Sequence, residues 1–159
     1  MYSILAAVTL AGVVLHLAFD RREKTLARVA EVILLYVLAI MVGLNGVIAF
    51  IGHAFFANQI ALFIGWMPGS PFQFEIAVAN LAFGVLGLLC IVIRGQFWTA
   101  VIIGQSIFYW GAAYGHIHQY LLLKDTAPGN IGGPFYMDIA VPVVMIALLI
   151  AYRKAVKNS

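Results

Sequence analysis

The stretch WGAAYGHIHQY, from Trp110 to Tyr120, sets two histidines, a glutamine and two tyrosines where a lipid-facing helix would carry leucine and valine. Imidazole can coordinate a metal, ligate haem or carry a proton near neutral pH. Gln105, Tyr109, Ala112, His116 and Gln119 follow i, i+4, i+7, i+11 and i+14, which is one continuous helical face. His118 points elsewhere, and HIH is no metal signature, because helical neighbours two apart diverge. His53, Glu75, Asn80 and Asp138 complete the set of polar side chains in apolar surroundings. His53, Glu75, His116 and Asp138 together have the donor types of a metal site. His53 and His116 on separate helices could instead ligate a haem from both faces. The same groups could also hold a quinone headgroup or relay protons.

The elements that must position these groups follow from composition. Hydrophobic residues make up 64% of the 159, charged residues only 9%, and mean hydropathy is +1.03. A soluble domain carries about 25% charged residues, so this chain belongs in a bilayer, as an all-α integral membrane five-helix bundle forming a single transmembrane domain over 1–159. The predicted spans are 2–19, 29–51, 71–93, 97–123 and 134–152, with a short interfacial or re-entrant helix over 55–67. The first is read as a retained helix and not a signal peptide, since its positive cluster follows the apolar run.

Alternate loops then fall on opposite sides. One side receives Arg21, Arg22, Lys24, Arg28, Arg94, Arg153, Lys154 and Lys157, and the other Lys124 alone. The positive-inside rule puts the N-terminus outside and the C-terminus in the cytoplasm, in what we read as a prokaryotic cytoplasmic membrane. The pI of about 9.2 therefore reflects topology and lipid headgroups, and no nucleic-acid partner is expected. Trp98 and Tyr152 should lie at the inner interface, Trp66 and Tyr120 at the outer. SPFQ suggests Ser70 as N-cap, Pro71 at the first helical position and Gln73 completing a capping box. Pro134 should open the last span, with Asp138 inside it and Pro142 freeing the Asp138 carbonyl. The Arg94-Gly95 turn predicts that spans three and four pack as an antiparallel hairpin. The lone Cys90 reads as a small packing residue.

With this topology His53, Glu75, Asn80, His116, His118, Gln119 and Asp138 fall in the outer leaflet, and Tyr109 joins the candidate ligand-binding or proton-carrying residues from the polar face of span four. Each also has a packing reading. Asn45, Asn80 and Gln105 can glue helices, His16 and His118 can snorkel, and Asp138 can simply complement a helix N-terminus. Their conjunction in one layer is what favours a shared ligand-binding or proton-carrying site. Gly104, Gly111 and Gly115 form a stripe beside it, which suits close approach of another backbone, in this chain, in a homo-oligomer or in a membrane-complex partner.

The stretches AFIGHAFF, IGWMPGSPFQFEIAVANLAFGVLG, RGQFWTAVIIG, GAAYGHI and APGNIGGPFYMDIAVPVV resemble an uncharacterised family of small polytopic membrane proteins, a domain of unknown function. The likeness spans roughly the last two thirds of the chain. The family pattern of SPFQ-x-E, GHI and GNxGP-like motifs picks out His53, Glu75, Asn80, His116 and Asp138, with Gly65, Trp66, Pro71 and Gln73, and it implies no reaction.

Three functions fit these residues. The first binds a metal, haem, quinone or other small ligand at the layer, with a possible redox role. The second is a small transporter or proton or ion path, against which stands the scarcity of polar residues on the inner side beyond Glu31 and Asn45. The third is a structural or accessory subunit of a membrane complex. Ser70 and Ser106 form no Ser/His/Asp arrangement, and no phosphate loop or dinucleotide fingerprint occurs.

Overall fold

Thr25 opens the longest helix by accepting the Arg28 N–H on Oγ1 at 3.2 Å, and 30 residues follow it, the most apolar 18 of them with a mean hydropathy of 2.5. A computed structural model, describing residues 1–158, gives six helices: α1 (Tyr2–Phe19), α2 (Leu26–Phe55), α3 (Ala57–Ile64), α4 (Phe72–Leu89), α5 (Gln96–Leu123) and α6 (Gly133–Lys157). No strand occurs among the described residues. Four of the helices, α1, α2, α4 and α6, are long and apolar enough to cross a membrane. At 28 residues α5 has the length as well, but its glutamines and histidines lower its hydropathy below that of the other four.

The central helix is α2, whose Leu34, Leu38 and Val42 are fully buried against Trp98 and Ile102 of α5 and Met145 of α6. Leu5 and Val13 of α1 cover its flank, while Ile4, Leu10 and Leu15 of the same helix stay exposed. Such broad exposed apolar faces suit contact with lipid. Within α2, Val37–Leu44 winds as a π-helix. Its wider turns alter the angular register of everything after it, and such segments cluster at functional sites. Beyond it Asn45 faces Tyr109 of α5, and Gly43 and Gly46 face α4.

The expected hairpin of spans three and four does not form along its length. Gly43 and Gly46 of α2 meet Gly84 and Gly87 of α4 so closely that the backbones touch, and α5 pairs with α6 instead. Between helices in lipid, close backbone packing is a principal attraction, and these four glycines provide it. The close approach expected of Gly104, Gly111 and Gly115 is thus not made within the chain: Gly104 meets the Phe83 ring, and a Cβ at Gly111 or Gly115 would touch nothing within 4 Å. α4 and α5 still touch where Phe83 lies on Phe108, ring centroids 5.3 Å apart, and a gap opens beyond that contact.

The basic end of the bundle is tied by Arg28, which sequence reading assigned to topology and headgroups. Its side chain is only 10% exposed and reaches Asp20 and Glu31, each at 2.6 Å, while its second terminal nitrogen lies 3.0 Å from Nε2 of His16. Arg94 pairs with Glu31 from the α4–α5 turn and stacks over Trp98 at 5.6 Å. Trp98 is itself a core residue at 1% exposure, its indole N–H donating to the Cys90 carbonyl at 2.9 Å, so it anchors the bundle interior and not an interfacial belt.

Asp20, in the connection before α2, accepts the Arg22 backbone N–H at 3.1 Å and the Arg28 guanidinium, which hold its carboxyl below the ordinary aspartate range. A depressed folded-state pKa stabilises the fold above the unfolded value, and that contribution drains away as pH falls through the folded one. We expect the unfolding midpoint in detergent to drop on acidification from about pH 4 downward. Asp20→Asn should begin lower at neutral pH and lose less over that range; equal losses in both proteins would reject the assignment.

Candidate functional site

α4 repeats the spacing of α5. Gln73, Ala77, Asn80, Gly84 and Gly87 fall at i, i+4, i+7, i+11 and i+14, and this is the face that α4 turns inward. Where the two inward faces diverge, with α2 behind them, lies a cavity of about 850 Å³. Six of the seven predicted site residues line it: His53, Asn80, Tyr109, His116, Gln119 and Asp138. Most of the remaining wall is apolar, including Met41, Ile48, Ile60, Phe63, Phe108 and Met137.

Glu75 is the exception, exposed on the outer face of the first turn of α4. It lies two residues beyond Gln73, about 200° around the helix, so only one of the two can face inward. Gln73 takes that position at 3% exposure and brings its Oε1 to 2.5 Å from His53 Nδ1. The capping box is accordingly absent. Ser70 Oγ accepts the Phe72 N–H at 3.3 Å, while the Gln73 side chain is spent on the histidine.

The tightest arrangement surrounds His116. Asn130, fully buried, donates through Nδ2 to the main-chain carbonyls of His116 at 3.3 Å and Asp125 at 2.9 Å. Carbonyls only accept, so the amide oxygen of Asn130 must be the atom lying 2.7 Å from His116 Nδ1. That oxygen cannot donate, so Nδ1 carries the ring proton and Nε2 is left facing Asp138 Oδ2 at 3.6 Å. Sequence reading missed Asn130. The available signal was a short polar residue in a Pro/Gly-rich connection of nine residues, 124–132, between two site helices.

The connections are held in place around it. Gly65, in the left-handed region at φ 90, packs on the Asp125 carboxylate, and the Gly129 N–H donates to Phe63 O at 2.9 Å. The Trp66 indole donates to Gln119 Oε1 at 2.9 Å. Tyr109 OH accepts from Asn45 Nδ2 at 3.2 Å in the cavity wall, and Asn80 Nδ2 returns to the Ile76 carbonyl of its own helix at 2.9 Å. His118 lies outside the site, exposed, 6.1 Å from the Tyr114 ring.

Of the four residues with metal-ligand chemistry, then, His116 and Asp138 come together, His53 turns to Gln73, and Glu75 faces away. Among the described residues no three His, Cys, Asp or Glu side chains form a group able to hold one metal ion.

Fold and site together define an all-helical protein with four helices suited to a bilayer and a largely apolar cavity edged by histidine, aspartate and amides. The chain belongs to a family of unknown function, DUF6790, whose match covers residues 1–158. The first helix is therefore inside the family match, beyond the two thirds in which the resemblance was read. No curated protein and no solved structure matches the chain.

Proposed function

We propose that this is a multi-pass protein of the prokaryotic cytoplasmic membrane, with five spans, its N-terminus outside and its C-terminus cytoplasmic, that binds a lipid-soluble small molecule in the outer-leaflet half of the bundle. The observation that carries this reading is that six polar residues from four helices, α2, α4, α5 and α6, edge one cavity with mostly apolar walls. Its volume of about 850 Å³ is in the range of small-molecule sites, which combine apolar walls with a few convergent polar groups. The His116–Asp138 pair is the element that would meet the ligand's polar end and hold or release a proton there. Orientation is supported by the eight-to-one division of basic residues between the two ends. An organic headgroup suits this donor set better than a metal ion, since His116 and Asp138 stand without a third ligand among the described residues.

The cavity can be filled without disturbing the fold. Nothing lies within 4 Å of a Cβ at Gly115, and leucine is the better helix former by roughly 0.8 kcal/mol. Wild type and Gly115→Leu, purified in mild detergent and extracted for mass spectrometry, should differ in one lipid-soluble compound. It should be present near one per chain in the wild type and depleted at least tenfold in a variant that melts no lower. Identical extracts from two folded proteins would remove the ligand-binding reading.

A further inference from the structure

His116 Nε2 and Asp138 Oδ2 both edge the cavity, and they stand 3.6 Å apart, too far for a direct hydrogen bond. With Nδ1–H engaged by Asn130, the neutral ring offers a lone pair at Nε2. In its ionised form the Asp138 side chain offers only lone pairs as well. Two acceptors turned toward one space, each nearly buried, call for a donor, and a single hydroxyl hydrogen satisfies one of them at a time. His53 repeats the arrangement on α2, with Nδ1 on a buried amide oxygen, so its Nε2 is the nitrogen left for other partners.

We propose that the ligand's polar end is a hydrogen-bond donor, a hydroxyl of the phenol or alcohol class, with an apolar body along Ile48, Phe63, Phe108 and Met137. This rests on the ligand-binding reading above and specifies its chemistry. The hydroxyl donates to the Asp138 carboxylate or to Nε2 of His116, and Asn130 acts as the positioning residue that keeps that nitrogen unprotonated in the neutral ring. A ketone, quinone or ether, which can only accept, would set a third acceptor against the first two.

The test compares 4-octylphenol with its methyl ether, 4-octylanisole, molecules of nearly the same shape differing in the donor. Binding is read in lipid nanodiscs from the ligand dependence of the melting temperature, with ¹⁵N-histidine spectra beside it. The phenol should bind about tenfold more tightly than the ether. It should shift the Nε2 resonance of one histidine, assigned to His116 by its absence from the spectrum of His116→Gln, and the ether should leave that resonance in place. Asp138→Asn should bring the two affinities toward equality. Should that variant fail to fold, the wild-type affinity ratio and the Nε2 shift decide alone. Equal affinities, or a tighter ether, would overturn the donor assignment while leaving the cavity reading intact, provided Gly115→Leu abolishes both. Failure of both compounds to bind would overturn the two readings together.

Discussion

Arg28→Ala should cost about 3 kcal/mol, a large fraction of the stability of a typical domain. The guanidinium is nearly buried and bridges Asp20 and Glu31 while touching His16. Removing it leaves two carboxylates close together with their shared cation gone, and Arg94 remains to serve Glu31 alone. Breaking one side of a buried pair costs more than the pair contributes, because the abandoned charges remain. Arg28→Lys should recover only part of the loss, since a single ammonium cannot reproduce a fork with three partners. Double substitution with Glu31→Gln should be less damaging than the sum of the single changes. Unfolding in mixed micelles would measure wild type, Arg28→Ala, Arg28→Lys, Glu31→Gln and the double variant; an Arg28→Ala variant as stable as wild type would mean that lipid headgroups, not these partners, satisfy the arginine.

The second large effect is expected at Gly46. A Cβ there would lie 2.7 Å from both the Asn80 carbonyl oxygen and the Gly84 Cα, and neither is a flexible side chain that could move aside. α2 and α4 would have to separate. Overpacking costs about 1–3 kcal/mol where side chains can yield, and Gly46→Leu should reach or pass the top of that range. Because Asn80 and Gln73 ride on α4, and His53 on α2, the same change should widen the cavity and break the His53–Gln73 bond. Gly111→Leu makes the useful contrast, since a Cβ there meets nothing within 4 Å. Comparing melting temperatures of the two variants separates a glycine needed for helix contact from one that leaves space. If Gly46→Leu melts like the wild type, the backbone contact between α2 and α4 is not what holds them.

Much was legible before any coordinates. Apolar runs of spanning length, the charge asymmetry and the α5 face carrying Tyr109, His116 and Gln119 are local or compositional properties, and periodicity reads them directly. That Asp138 sits inside α6, near its start, followed from Pro134 and from the length a span requires. What could not be read is which helices would pair, because that depends on surfaces far apart in the chain. Gly43 and Gly46 draw α4 onto α2, which selects Gln73 over Glu75 for the interior and opens the space between α4 and α5. The π-helical segment of α2 compounds this, since a helical wheel drawn at 3.6 residues per turn places everything beyond it wrongly. Asn130 and Arg28 escaped for the same reason. One lies in a connection and the other in a basic cluster, and each acquires its role from partners that only the folded chain brings within hydrogen-bonding distance. Periodicity reports which side of a helix is buried, but the choice of partner on that side is a long-range contact, made when α4 closed on α2 and α5 on α6.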